Sequence, residues 1–320
     1  MAAALLLGLT APGFLSVDNV RNLAVQVPVN TIIAVGMTPV ILTGGIDLSV
    51  GSIHALVGVL TALALTHPGF AETLGPLAVP GSLLIGLLVG AGVGAFNGLA
   101  IARFGLPPFI VTLATMRIGR GLAKQATNGL PVGLVEETAP RAEQLNQHWE
   151  AIQPLGLGDA SGVPVPLLLA LGLAVAVWLL LAHTAFGRAV YAVGSNEEAA
   201  RLAGLRPPRV KGIVYTLCGL LAAGAGIVEA AQLQSGSPIA GEGYELAAIA
   251  AVVVGGTRLT GGQGGVPGTV IGAVFVIGVM NNALNLYNVP AFWQEAATGA
   301  IIFGIVLLDQ LARRRERAAA

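Results

Sequence analysis

Stretches of roughly 20 mostly apolar residues recur along the chain. Because the hydrocarbon core of a bilayer is about 30 Å thick and a helix rises about 1.5 Å per residue, that length suits a membrane-spanning helix. The segments predicted this way are 22–43, 50–66, 80–102, 107–124, 164–183, 210–232, 244–256, 265–286 and 292–308. Residues 2–9 are apolar but too short to span, and no Lys or Arg precedes Arg21, so the positive start of a signal peptide is missing. Read as a curtailed first helix, they bring the count to about ten. The expected fold is an all-α polytopic membrane protein, with residues 1–320 as a single transmembrane domain.

Composition agrees: 10% of residues are charged, 55% are hydrophobic and the mean hydropathy is +0.81, against roughly 25% charged residues in a soluble domain. The 45 glycines suit packed membrane helices, where small side chains let backbones approach. Gly86, Gly90, Gly94 and Gly98 recur every fourth residue and form a packing stripe. A formal net charge of zero argues against a nucleic-acid partner, which calls for a basic patch. The single cysteine, Cys218, permits no internal disulfide, and the four histidines show no metal-ligand spacing, so no metal is expected.

Orientation follows from Lys and Arg in the loops. Arg188, Arg201, Arg206, Arg209 and Lys211 crowd residues 185–211, and Arg313, Arg314, Arg315 and Arg317 crowd the tail, so both regions are expected in the cytoplasm. Residues 125–163 carry Glu136, Glu137, Glu143, Glu150 and Asp159 and are expected to form an extracytoplasmic loop. Arg117 and Arg120 share a face of one segment and are expected near its outer end, or paired with an acid such as Glu229.

An internal repeat joins the two halves. The stretch VPGSLLIGLLVGAGVGAFNGLAIARFGLPPF from Val79 resembles VPGTVIGAVFVIGVMNNALNLYNVPAF from Val266. Five segments separate the partners, so the copies would cross the membrane in opposite directions, as inverted repeats do in transporters. Chance similarity of two Gly-rich helices is the competing explanation.

No enzyme chemistry declares itself. A P-loop requires Gly-x-x-x-x-Gly-Lys-Ser/Thr, whereas Lys124 and Lys211 follow Ala123 and Val210. The late Gly-rich turn GGTRLTGGQGG, with Gly255, Gly256, Gly261 and Gly262, joins two apolar segments without a βαβ setting and is expected to be a flexible connection. Asp47 is the one charge in VILTGGIDLSVGSIHALVG. Gly44 and Gly45 suit a helix C-terminus, and Asp47 or Ser49 can cap the next helix near the cytoplasmic boundary. Alternatively the charge lines a pathway or anchors a moving turn. In residues 185–211, Ser195 and Glu198 have capping-box spacing and Gly204 suits a C-terminal cap, which predicts one short helix facing the cytoplasm.

GMTPVILTGGIDLSVGS, GSNEEAARLAGL and ELAAIAAVVVGGTRLTGGQGGVPGTVIGA, in that order, resemble the permease subunits of bacterial ribose-type monosaccharide ABC transporters. The resemblance spans nearly the whole chain beyond the first span. It implies a bacterial inner-membrane, multi-pass permease domain paired with a second permease copy or a sister permease. It also implies two cytoplasmic ABC ATPase domains, which bind the ATP and magnesium, an extracytoplasmic sugar-binding protein, and no cofactor in this chain. Glu198, Ala199, Ala200 and Gly204 match the coupling-loop pattern of importer permeases that contacts the ATPase, with Glu197 and Arg201 beside them. Gly44, Gly45, Asp47, Ser49 and Gly51 form the family's signature turn.

The implied function is sugar import by alternating access, driven by the partner ATPase. A pathway with few polar groups should hold sugar weakly, leaving specificity to the binding protein. The alternative is an ion-coupled secondary transporter, for which Asp47, Glu229 and Glu295 are the candidate acids. A membrane enzyme finds no nucleophile and base pattern to support it.

Overall fold

A computed structural model describes residues 10–136, 138–139 and 141–290, with 292–294, 296–297, 299–300, 303–304 and 307 beyond them. The helices are α1 (Val17–Leu42), α2 (Val50–Thr66), α3 (Pro68–Leu74), α4 (Ala78–Phe104), α5 (Pro108–Ala126) and α6 (Ala142–Leu157). They continue as α7 (Val165–His183), α8 (Ala185–Ser195), α9 (Glu197–Leu202), α10 (Pro207–Leu233), α11 (Tyr244–Val254) and α12 (Val266–Leu286). Among the described residues, five helical stretches are long and apolar enough to cross a membrane: α1, Pro68–Phe104, α7, α10 and α12. The shorter α2 and α11 are also apolar, whereas α5 carries Arg117, Arg120 and Lys124. The expected segments from 22 to 286 coincide with these helices to within a few residues. Residues 2–9, Glu295 and the arginines of the tail lie outside the described residues, as does part of the expected segment 292–308.

Two long helices make the centre. Every residue of α1 from Val27 to Leu42 is buried, and α10 runs beside it. The packing is crossed: α1 lies against α11 and α12, while α10 lies against α2 and α4. The glycine stripe explains the closest of these contacts. Gly90, Gly94 and Gly98 face the α10 backbone at Gly219, Tyr215 and Gly212, and any added methyl group would collide with it. Leu84, Leu88, Phe96 and Leu99 of α4 point outward instead, so the large apolar side chains form the outer surface and the small ones the interface.

The connections gather at two opposite ends. At one, residues 42–44, 194–195 and 261–262 touch. At the other, residues 125–163 fold onto the bundle as structure of their own. Trp149 and Ile152 of α6 bury against Ala62, Leu65, Ala230 and Ala231. β1 (Val132–Gly133) pairs antiparallel with β4 (Ser235–Gly236), and β2 (Asp159–Ala160) pairs with β3 (Val163–Pro164). Arg21 reaches Asp159 at 3.3 Å, and Arg141 pairs with Glu72.

Residues 185–211 contain two helices where one is expected. Thr184 caps α8, its Oγ1 accepting from the Gly187 N–H at 3.1 Å. Ser195 ends α8 and starts nothing; Asn196 caps α9, its Oδ1 accepting from the Ala199 N–H at 2.9 Å. The Ser195 and Glu198 capping box is therefore not formed, because α8 runs through Ser195 and the next helix starts one residue later, with Asn196 as its cap.

Candidate functional site

In the signature turn between α1 and α2, Gly45, Asp47, Ser49 and Gly51 are buried while Gly44 is exposed. Gly44 takes φ +76°, the left-handed conformation that closes α1, and its N–H bonds to Ile41 O at 2.9 Å. Gly45 lies against the Tyr215 hydroxyl, where a Cβ has no room, and Gly51 lies equally close to the Gly241 carbonyl. Asp47 is wholly buried, and its Oδ1 accepts from the Ser49 N–H at 2.9 Å and the Ser49 hydroxyl at 2.6 Å. Ser49 Oγ in turn accepts from Asn97 Nδ2 at 2.9 Å. Thus Asp47 ties the turn to the residue preceding α2 and, through it, to α4. It does not cap α2: Ser49 occupies the N-cap position, and its side chain accepts no N–H of the helix. Tyr215 and Cys218 flank the turn; at about 1.5 Å per residue they lie about 12 and 16 Å along α10 from Pro207. The turn therefore reaches inward past the ends of its neighbours.

The other two sequence motifs meet this turn. The Gly262 N–H bonds to Leu42 O at 2.9 Å, and Gly261, at φ +85°, lies against Gly194 O, Gly44 N and Leu42 O. Gly194 has no room for a side chain against the Leu42 carbonyl. Tyr191 of α8 donates to Gly264 O at 3.0 Å. Gly255 packs on the Gly268 backbone, and Gly256 takes φ +87°. The late Gly-rich turn is thus closely packed at Gly255, Gly261, Gly262 and Gly264.

On α9, Ala200 is buried against the bundle while Glu198 and Arg201 stand exposed and paired at 2.7 Å. The hydrogen bond from Arg201 to Glu198 pushes the guanidinium above its ordinary value. Glu197 pairs with Lys211 of α10 at 2.7 Å. Gly204, at φ +86°, reverses the chain, and the Leu205 N–H returns to Ala200 O at 3.1 Å.

Toward the opposite end, His54 of α2 faces Glu229 of α10 at 3.2 Å, and Tyr244 of α11 donates to Glu229 at 2.9 Å. Glu229 is therefore not the partner of Arg120, whose guanidinium donates instead to the carbonyls of Pro238, Ala240 and Gly51. Arg117 is exposed. Beside this cluster a cleft of about 380 Å³ opens between α1, α10, α11 and α12. Sequence reasoning did not find it, since its residues come from four distant elements; the one local signal is NNALN at residues 281–285. Among the described residues no group of three or more His, Cys, Asp and Glu is gathered to hold a metal ion.

Residues 19–308 match the family described as branched-chain amino acid transport system / permease component. The chain is 43% identical to the ribose import permease protein RbsC of Escherichia coli over 93% of its length and 88% of that protein's. It is 44% identical to the RbsC protein of Bacillus subtilis, over 93% and 87% of the two chains. The xylose transport system permease protein XylH of Escherichia coli is 37% identical over 96% and 88%. No solved structure matches.

Proposed function

The chain belongs to the permease family described as branched-chain amino acid transport system / permease component, and within it to the ribose-type sugar permeases of ABC importers, and on that footing we propose how it works. It is a multi-pass membrane permease that moves a monosaccharide of the ribose and xylose class across the bacterial inner membrane by alternating access. A separate ABC ATPase supplies the energy, an extracytoplasmic binding protein delivers the sugar, and a second permease copy or sister permease completes the pathway.

One observation carries the mechanism. The Glu197–Gly204 loop presents Glu198 and Arg201 outward while the helix before it ends wedged between residues 42–44 and 261–262. A push on α9 from an ATPase therefore acts on both turns through backbone contacts that have no slack. Crossed packing of α1 and α10 supports an inverted repeat: α1 lies on α11 and α12, and α10 lies on α2 and α4, the third and fourth segments of the opposite half in each case. Counting the apolar residues 2–9 and 292–308 along with the helices above, that plan has about ten spans. Residues 125–163, at the end opposite α9, then form the outer face.

The test is uptake of labelled ribose or xylose into vesicles holding the permease, its ATPase and its binding protein. Uptake should require ATP and survive collapse of all ion gradients. Uptake that follows an ion gradient without an ATPase would instead establish a secondary transporter.

A further inference from the structure

The cleft between α1, α10, α11 and α12 gathers several amide side chains, one carboxylate and one phenol at a single opening. Asn30, Glu229, Gln232, Tyr244, Asn282 and Asn285 line it. Its volume, about 380 Å³, falls within the range of roughly 300–1,000 Å³ usual for small-molecule sites. Asn30 is 8% exposed, and its Oδ1 is buried without a hydrogen-bond partner. Such an orphan costs about 1–3 kcal/mol unless something bonds to it. Second and independently, α12 is π-helical over Val274–Asn281, directly before Asn282. A π-helical stretch widens a helix and redirects the side chains that follow, and such stretches concentrate at functional sites. Here the cost of the irregular backbone is met where the NNALN amides reach the cleft wall.

The donor set identifies the ligand's chemistry. Each amide offers both a donor and an acceptor, as does each sugar hydroxyl. Glu229 receives a hydrogen bond from Tyr244 at 2.9 Å and faces His54 at 3.2 Å, and the lining residues include no Lys or Arg to bind an anion and no second acid to help hold a metal ion. The Asn19 and Asn282 amides bond reciprocally at 2.9 Å, and Gln232 Nε2 donates to Val25 O at 2.9 Å, which holds the lining in place. The cleft lies at the end that residues 125–163 cover, opposite the coupling loop. It is the end at which a binding protein would release its cargo.

We infer that this cleft is a subsite for a neutral polyhydroxylated ligand, a monosaccharide in transit, with Asn30 as a direct contact. The inference rests on the importer reading above. It gives the expected pathway of few polar groups one polar station near the entrance.

The test uses the full complex of permease, ATPase and binding protein in vesicles, with labelled ribose and xylose. Asn30→Leu keeps the size and removes the amide, and uptake at saturating binding protein should fall about tenfold, the factor set by about one lost hydrogen bond. Stimulation of the ATPase by loaded binding protein should persist. A second arm removes the risk of misfolding. Asn285 is exposed at the rim, whereas the native Cys218 is buried. In Asn285→Cys, assembled complexes should react with an external thiol-specific disulfide reagent, lose uptake and regain it on reduction. Full uptake by Asn30→Leu, failure of the cysteine to react, or full uptake after it has reacted overturns the subsite. No sugar uptake by the unsubstituted complex overturns the importer reading itself.

Discussion

Asp47 answers to geometry before charge. Its Oδ1 receives both Ser49 bonds, and an Asn side chain can present the same oxygen, so Asp47→Asn should retain most transport. Asp47→Leu leaves the Ser49 N–H and hydroxyl buried without acceptors, at about 1–3 kcal/mol each. The expected outcome is a lower thermal midpoint and lower yield of the solubilised permease, read by fluorescence-detected size exclusion. Loss of transport in a well-assembled Asp47→Asn protein would show instead that the charge itself is needed. Part of this was legible in the sequence: Gly44 at a helix end follows from its neighbours, and a lone carboxylate in an apolar run marks a special turn. What could not be read is that Asn97, 48 positions beyond Ser49, joins the network, because no spacing rule links residues brought together by tertiary packing. The same holds for the cluster of His54, Glu229 and Tyr244, drawn from three helices.

Among the elements, α9 and the α4 stripe carry the sharpest expectations. Gly204→Val forces a β-branched residue into the left-handed region, at about 1–2 kcal/mol or more. The permease should still insert, yet pull down its ATPase poorly and lose transport. Cysteines at 198 or 201, with Cys218 replaced, should cross-link to the ATPase in the assembled complex; no cross-link, with ATPase stimulation unchanged in Gly204→Val, would reduce the loop to a linker. Gly94→Val attacks the contact between α4 and α10, where the Tyr215 backbone leaves no room. Overpacking of this kind costs about 1–3 kcal/mol, and the solubilised protein should melt earlier, whereas Gly92→Val, with open space around it, should not. Helix positions were legible from hydropathy because lipid imposes length and apolarity together. The division of residues 185–211 into α8 and α9 was not, since Ser195 and Asn196 are both good caps and only the built backbone decides between them.

At the scale of the whole molecule, the permease alone should show no ATP turnover, and its complex with the ATPase should. Turnover by the pure chain, in a preparation free of contaminating ATPase, would contradict the division of labour proposed here. The crossed packing of α1 and α10 has a further consequence, for biogenesis. As the chain leaves the ribosome, α1 enters the bilayer well before α10, α11 and α12 exist to surround it. In that interval Asn30, Thr31 and Thr38, all buried in the finished protein, face lipid or whatever the insertion machinery offers. Thr38, whose hydroxyl meets Thr269 Oγ1 at 2.8 Å, waits for a partner translated 231 residues later. A chain stopped after α9 should therefore be a substrate for membrane proteases rather than a stable half, and supplying the second half as a separate polypeptide should rescue it.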